Sequence, residues 1–397
     1  MADLSRLVPR MRPYATTIFG QMSALATELG AINLGQGFPD VDGPAELKDV
    51  AIAAIADGSG NQYPPAHGLP DLRLAIAEHQ QRHYGLELSP DTDVVVTTGA
   101  SEALAASLIA LVDAGDEVIV FEPYFDLYTA IIAMAGATRV AVPLRVPAPG
   151  SGVGFALDAD ALRSAITPRT RMIIVNSPHN PTGMVFSRDE LSAIAHVAIE
   201  HDLIVVSDEA YEHLVFGDAR HVPIATLPGM FARSVTIGSG GKSFSFTGWK
   251  VGWASGPTDL ITAVRVVRQH LSYVSAGPFQ AAIATGLRFP DSYFTEFANS
   301  LARRRDLLSA GLRAVGLEVL PTDGTYFITS DIRPLGRSDG MQFCDWLVRE
   351  VGVAAIPIEA LADDEEAFAP YVRWTFCKRP DVLAEALERL AQHRLNG

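Results

Sequence analysis

A lysine in a glycine-rich stretch is the first candidate for chemistry in this sequence. Lys242 lies in Gly238–Ser243 (GSGGKS), directly after the predicted strand Ser234–Ile237. A lysine amine can bond to a carbonyl carbon and can move a proton, the tasks of covalent and acid–base catalysis. Taken alone, the segment is equally well interpreted as a solvated loop. Gly241–Ser243 also resembles the end of a P-loop, but Thr236 stands where that motif requires glycine, which argues against a nucleotide triphosphatase.

Small or polar residues follow the other predicted strands as well. Gly99, Ala100 and Ser101 follow Val94–Val96, where a helix start could bind phosphate, although a plain N-cap by Ser101 is the favoured interpretation of these residues alone. Asn180 lies in a proline-rich turn after Arg171–Asn176, and Asp208 and Tyr211 follow Leu203–Ser207. Alone, the turn around Asn180 could equally be a loop that ends the strand, and Asp208 could simply cap the next helix. Because the carboxyl ends of parallel strands meet at one edge of a sheet, we expect these side chains to converge.

The elements that would position these residues are short apolar strands alternating with helical patterns. Such strands are typical of a sheet covered on both faces, so the fold class is α/β with a mostly parallel sheet. Ser187 and Glu190 form a capping box that predicts a helix to about His201. From about residue 285 a smaller α+β part is predicted. We expect an N-terminal arm over 1–45, a large domain over 46–285 and a small domain over 286–397.

Composition excludes several classes of protein. The chain has 397 residues and a formal net charge of −15, which argues against nucleic acid as a partner. The two cysteines, Cys344 and Cys377, have neither metal-site nor disulfide spacing, so no metal is expected. The N-terminus shows no apolar signal segment, and no apolar run is long enough to span a membrane. A cytoplasmic location is therefore the expectation.

The order of these motifs resembles the class I aminotransferases of pyridoxal-phosphate (PLP) fold-type I. The match covers essentially the whole chain and includes Asn33–Asp40 (NLGQGFPD), Tyr63–Pro65, and the later Lys250 and Arg373. This resemblance implies a seven-stranded large domain, a smaller α+β domain, and PLP as the cofactor. Within the family, NLGQGFPD, Glu122–Asp126 (EPYFD), and Thr17–Phe19 with Met22 and Ser23 are similar to two groups: the kynurenine, glutamine or methionine aminotransferases, and the actinobacterial N-succinyldiaminopimelate aminotransferases. The match to the second group is closer and includes Thr375–Arg379 (TFCKR).

The resemblance also implies a role for each residue. Lys242 would form the Schiff base with PLP and carry the proton, and Asp208 would pair with the pyridine nitrogen. Asn180 and Tyr211 would hydrogen-bond the phenolic oxygen of PLP, and Phe125, with Tyr124 as the alternative, would stack on its ring. The phosphate would be held by Gly99, Ala100, Ser101, Ser239 and Lys250, and by Tyr63 from the other subunit, which predicts a homodimer with composite sites.

Substrate contacts follow from the same resemblance. Arg373 would bind the substrate α-carboxylate through its guanidinium fork, and the backbone at Gly37 would line the same end of the pocket. Phe19 would lie near the substrate side chain or in the core. The expected reaction is transamination between an amino acid and a 2-oxo acid, with N-succinyl-LL-2,6-diaminopimelate and 2-oxoglutarate as the preferred pair. Any distal carboxylate would need a further cation, for which Arg265, Arg268 and His270 are candidates.

Two other functions remain open at this stage. A C–S β-lyase would share the same lysine and the same proton abstraction, and would release pyruvate and a thiol instead of exchanging an amino group. A regulatory protein that only binds PLP would need an attached DNA-binding domain, for which the chain has no room. The presence of Lys242 also favours an enzyme.

Overall fold

The computed structural model describes residues 4–275, 277–393 and 395. The outermost residues of the predicted arm and small domain, 1–3, 394, 396 and 397, lie outside this range. The strands are β1 Ile32–Asn33, β2 Val94–Thr98, β3 Glu117–Glu122, β4 Thr138–Pro143, β5 Thr170–Asn176, β6 Ile204–Asp208, β7 Ser234–Ser239, β8 Val251–Ser255, β9 Glu318–Val319, β10 Phe327–Asp331, β11 Val353–Ala354, β12 Ile356–Pro357 and β13 Tyr371–Thr375.

Helices surround these strands. They are α1 Ile18–Leu29, α2 Ala45–Ala56, α3 Pro70–Tyr84, α4 Gly99–Leu111, α5 Asp126–Ala135, α6 Ala159–Ser164, α7 Arg188–Glu200, α8 Gly240–Ser243, α9 Thr258–Leu271, α10 Gly277–Leu287, α11 Asp291–Ala314, α12 Gly340–Trp346, α13 Glu365–Phe368 and α14 Pro380–Gln392. Within the described part of the chain, none of them is both long and apolar enough to cross a membrane.

A seven-stranded sheet forms the centre of the fold, in the order β2-β8-β7-β6-β5-β3-β4. β8 runs antiparallel to both of its neighbours, and the remaining pairs are parallel. Alternate residues of one strand enter different cores: Ile119 and Phe121 belong to one, Val118 and Val120 to the other. Burial on both faces explains why these strands are apolar throughout. The predicted mostly parallel, seven-stranded α/β sheet is confirmed.

A second, antiparallel sheet has the order β12-β13-β10-β9. Beside it, β1 pairs in parallel with β11 through Ile32 opposite Val353. One hydrophobic core contains Met22 and Leu34 from the N-terminal segment together with Leu301 and Trp374 from the C-terminal part. The two ends of the chain therefore pack together.

Local signals set several of these boundaries. The predicted capping box is present: Glu190 N donates to Ser187 Oγ at 3.2 Å, and Ser187 N donates to Glu190 Oε2 at 2.8 Å. The long helix α11 begins at Asp291, directly after Pro290 as its N-cap. Proline is tolerated there because the first helical N–H groups have no partner within the helix.

Candidate active site

A cavity of about 370 Å³ opens at the carboxyl ends of β6 and β7 and at the start of α4. Every site residue predicted from the sequence lines it, with the exception of Tyr63. Those lining it are Phe19, Gly37, Gly99, Ala100, Ser101, Phe125, Asn180, Asp208, Tyr211, Ser239, Lys242, Lys250 and Arg373. The expected convergence of residues from several strand ends is therefore present in the structure.

Lys242 extends from α8 into this cavity and is partly buried. Its Nζ donates a hydrogen bond to Tyr326 Oη at 2.8 Å. Burial lowers the pKa of Lys242 to about 8, although the neighbouring Cys377 and Asp208 act in the opposite direction. A lysine with an ordinary pKa near 10.4 is almost wholly protonated at neutral pH, whereas this one has an accessible neutral form. The Lys242 amine is thereby suited to nucleophilic attack and proton transfer.

Tyr326 was not predicted as a site residue, yet it joins two parts of the site. Its hydroxyl accepts from Lys242 and donates to the backbone oxygen of Gly37. It immediately precedes β10, in a segment that the sequence pattern assigns only to the smaller domain. A tyrosine that is 1% exposed in an apolar strand region looks like a core residue, and only its contacts show otherwise.

Asp208 ends β6 and is held by two donors. Tyr128 Oη donates to Asp208 Oδ2 at 2.7 Å, and the Ala210 amide donates to Asp208 Oδ1 at 3.2 Å. Burial raises the pKa of Asp208, and these two hydrogen bonds oppose that rise. A buried carboxylate of this kind would be stabilised by a cationic group of a ligand. Tyr128 is a further residue missed from the sequence, because it lies within the apolar helix α5.

Arg373 points from β13 into the cavity. Its Nη1 donates to Asn180 Oδ1 at 2.8 Å and its Nη2 donates to Gly35 O at 2.7 Å. Its guanidinium carbon is 4.7 Å from the ring centroid of Phe19 and 4.0 Å from that of Phe327. The cation is 1% exposed, and among the described residues it forms no ion pair and its Nε has no hydrogen-bond partner.

The surroundings of Arg373 make it suited to binding an anion. Burial lowers the pKa of Arg373 to about 10, which still leaves the side chain charged at neutral pH. A buried charge is normally paired, and a planar guanidinium matches a carboxylate in two-point geometry. Phe19 meets both expectations, because its ring lines the cavity beside Arg373 and also packs against the hydrophobic core.

The opposite side of the cavity is suited to phosphate. α4 begins at Gly99 with Thr98 as its N-cap, and the Thr98 side chain makes no capping hydrogen bond. Ser101 lies inside the helix, so its interpretation as the N-cap is wrong. Lys250 Nζ is 3.5 Å from Ser101 Oγ, and Ser239 ends β7 on the same side. Free helix N–H groups beside an ammonium form an anion site.

Gly252 allows the backbone segments on the phosphate side of the cavity to pack closely. A Cβ at Gly252 would lie 2.5 Å from Gly99 C and 2.6 Å from Ala100 N. In the sheet, Gly252 is opposite both Thr97 and Ser239. The antiparallel strand β8 therefore brings the start of α4 and the end of β7 together, at a distance that only glycine allows.

Of the two candidates for stacking on the cofactor ring, only one lies in the cavity, and the residue expected to serve a second subunit lies outside it. Phe125 lines the cavity, whereas Tyr124 is buried elsewhere and donates to Asp363 Oδ1 at 2.6 Å. Tyr63 is 80% exposed, with its ring 5.5 Å from that of Tyr273, and it does not line the cavity of its own chain.

The residues considered for a distal carboxylate do not reach this site. None of Arg265, Arg268 and His270 lines the cavity. Arg268 is fully buried in α9, where its Nη1 donates to Ala66 O at 2.6 Å and to Tyr273 O. The location of the Arg268 side chain therefore does not support the hypothesis that it binds a distal carboxylate in the cavity of its own chain.

Comparison with known proteins agrees with this geometry. The family described as "Aminotransferase class I and II" matches residues 30–390. The chain belongs to the class I and II aminotransferase family. Enzymes of this family use PLP as the cofactor and act on amino acids and 2-oxo acids. The cavity fits that cofactor, because an anion site, a buried carboxylate and a reactive amine lie around one space.

Individual aminotransferases are similar over nearly their full length. A relative from Mycobacterium tuberculosis named "probable N-succinyldiaminopimelate aminotransferase" is 53% identical over 392 residues, covering 97% of this chain and 98% of its own. The methionine aminotransferase of Escherichia coli is 38% identical, and the match covers 97% of this chain and 98% of that enzyme. A solved structure of the N-succinyldiaminopimelate aminotransferase from M. tuberculosis has a TM-score of 0.94 and 53% sequence identity. The match covers 97% of this chain and 99% of that chain.

Proposed function

We propose that this aminotransferase transfers an amino group between N-succinyl-LL-2,6-diaminopimelate and 2-oxoglutarate, as a step in lysine synthesis. The observation that carries the proposal is the 53% identity with the N-succinyldiaminopimelate aminotransferase of M. tuberculosis over 97% of the chain. The methionine and kynurenine aminotransferases that also match are 38% and 37% identical. They define the alternative substrates, together with C–S β-lyase chemistry.

Each residue has a proposed task that follows from its surroundings. PLP, when bound, supplies a Schiff-base carbon and a ring that accepts electrons from the substrate Cα. Lys242 provides the amine that holds the cofactor aldehyde. Lys242 would also move a proton between the substrate Cα and the cofactor C4′. Tyr326 keeps the Lys242 amine directed into the cavity through its 2.8 Å hydrogen bond.

The other residues hold and orient the reactants. Asp208 keeps the pyridine nitrogen protonated, and the Tyr128 hydroxyl fixes the carboxylate for this task. Asn180 and Tyr211 hydrogen-bond the phenolic oxygen, and Phe125 covers the ring. Gly99, Ala100, Ser101, Ser239 and Lys250 hold the phosphate. Arg373 binds the substrate α-carboxylate between Phe19 and Phe327, beside the backbone at Gly37.

The proposal extends to assembly, division into domains and location. The exposed Tyr63 would reach the phosphate of a second subunit, giving a homodimer with composite sites. Residues 46–285 would form the large domain, and the arm 1–45 would pack with the small domain 286–397. The two buried, unpaired thiols of Cys344 and Cys377 suit a reducing cytoplasm.

A donor and acceptor screen tests the substrate. Purified enzyme should show its highest kcat/KM with N-succinyl-LL-2,6-diaminopimelate and 2-oxoglutarate, and lower values with methionine, glutamine and kynurenine. A higher kcat/KM with one of those amino acids would replace the proposed substrate. Release of pyruvate and thiol from cystathionine without any 2-oxo acid would instead identify a lyase.

A further inference from the structure

Three histidine rings converge on the side of α3, away from the cofactor cavity. His79 and His83 are four residues apart on α3, so they lie on one helix face. His213 joins them from the segment after β6. The ring centroids are 4.5 Å, 4.9 Å and 5.0 Å apart, and one nitrogen from each ring lies within 4.8 Å of the others.

We propose that His79, His83 and His213 form a binding site for one divalent transition-metal ion of the Zn²⁺ type. Two histidines at i and i+4 on a helix, with a third ligand from another element, are a common arrangement for zinc. Three imidazoles without a carboxylate suit Zn²⁺, Co²⁺ or Ni²⁺ and do not suit Mg²⁺ or Ca²⁺. A water molecule would complete the tetrahedral set.

Two of the three rings already bring their nitrogens together. His79 Nε2 lies 2.7 Å from His213 Nε2, a contact that needs one ring to donate and the other to accept. His79 is 1% exposed, so its ring lies in the protein interior. With metal–nitrogen bonds of about 2.0–2.1 Å, two tetrahedral ligand nitrogens are roughly 3.3 Å apart. To admit the ion, the His79 and His213 nitrogens must therefore separate by roughly half an ångström, and the His83 nitrogen, which lies within 4.8 Å of them, must move closer.

The surroundings of the three rings hold one of them in place and leave another open to solvent. Phe294 stacks on His213 with centroids 4.0 Å apart, which holds the ring in place. The His83 side chain is 17% exposed and provides the entry route.

Arg82 is the competing group at this site. Its Nε and Nη2 lie 3.2 Å and 3.0 Å from His83 Nε2, so the guanidinium occupies the lone pair that a metal would use. Arg82 has other partners to keep, since its Nη2 also donates to Leu287 O at 3.1 Å and its Nε is 3.5 Å from Asp291 Oδ1. Metal binding at His83 thus displaces both contacts of Arg82 with His83 Nε2. Removal of Arg82 should strengthen metal binding.

The site links two functional elements. His213 lies two residues after Tyr211 and five after Asp208, and neither it nor the other two histidines lines the cofactor cavity. A bound ion would fasten the segment carrying these two residues to α3. The site is therefore a structural clamp behind the cofactor cavity, and its existence does not depend on which amino donor the enzyme uses.

Co²⁺ titration of the holoenzyme, prepared without a polyhistidine tag and stripped of metal by a chelator, tests the proposal. One Co²⁺ per chain should give visible d–d bands of tetrahedral coordination, and Zn²⁺ should abolish them. The melting temperature should rise with the Zn²⁺ concentration. His83→Ala should weaken binding by at least about tenfold, because one of three ligands is lost. Arg82→Gln should tighten it.

His196→Ala is the matched control, because His196 is an exposed helical histidine on α7 and should leave the titration unchanged. His83 is chosen over His79 because its partial exposure makes a folding defect less serious, and the far-UV spectrum checks this. Absence of a stoichiometric Co²⁺ band would overturn the proposal. A band that persists in His83→Ala would do the same, because it would place the ion at PLP or on another surface.

Discussion

The reactive groups of this aminotransferase depend on burial for their properties. Lys242 and Arg373 are both cations in an apolar setting, and burial lowers both pKa values, yet with different consequences. A pKa of about 8 gives Lys242 an accessible neutral form, which suits a nucleophile. A pKa of about 10 leaves Arg373 charged, which suits an anchor for carboxylates. One physical cause therefore produces two opposite functions.

The lowered pKa of Lys242 predicts the pH dependence of cofactor capture. Only the neutral amine attacks an aldehyde, so the rate of PLP uptake by the PLP-free enzyme should rise about tenfold per pH unit below 8 and level off above it. Stopped-flow absorbance measures this rate, and borohydride reduction with peptide mapping should tag Lys242. N-acetyl-lysine methylamide, as a free amine control, should continue to accelerate up to pH 10. A reductive tag on Lys250 would contradict the assignment.

Arg373 should be needed equally for every substrate. Loss of one partner of a buried ion pair costs about 3–5 kcal/mol, so Arg373→Ala should lower kcat/KM on the order of 10²–10⁴-fold. Arg373→Lys should recover little, because the two-point fork is lost. Arg349→Lys, in a half-exposed pair with Asp345, is the control and should be neutral. A defect confined to the succinylated donor would assign Arg373 to the distal carboxylate instead.

Secondary structure elements determine which of these residues a sequence can reveal. Asn180, Asp208 and Ser239 were predictable because they follow or end apolar parallel strands, where the edge of the sheet gathers polar groups. Tyr128 and Tyr326 were not, because each lies among apolar residues and resembles core. β8 was also missed, since its sequence VGWAS lacks the β-branched run that marks a strand.

The strand β8 can be tested through its glycine. In Gly252→Ala the new Cβ would meet backbone atoms of Gly99 and Ala100 within 2.6 Å, so the start of α4 must move. PLP affinity should fall by about tenfold or more, since the phosphate site depends on those N–H groups. Gly248→Ala is the matched control, because nothing lies within 4 Å of its Cβ. Fluorescence titration with PLP measures both, and equal affinities would show that β8 does not set the phosphate site.

At the scale of the whole molecule, two chains should share each active site. Lys242→Ala and Tyr63→Ala homodimers should both be nearly inactive. Refolded together, they should form hybrid dimers in which one site keeps Lys242 from one chain and Tyr63 from the other. Activity should therefore return in the mixture, to a level set by the fraction of hybrids. Sedimentation should give a dimer at the assay concentration, and a mixture that stays inactive would show that Tyr63 serves its own chain.

The pairing of β1 with β11 has a consequence for biosynthesis. Ile32 is made early, whereas its partner Val353 leaves the ribosome more than three hundred residues later. Until then the nascent segment that carries Phe19 and Gly37 has no strand to join, and pairings so distant along the chain form slowly. A chain interrupted at residue 350 already contains Lys242 and Asp208 but lacks Arg373. The residues proposed to hold the cofactor are thus synthesised before Arg373, the residue proposed to bind the substrate.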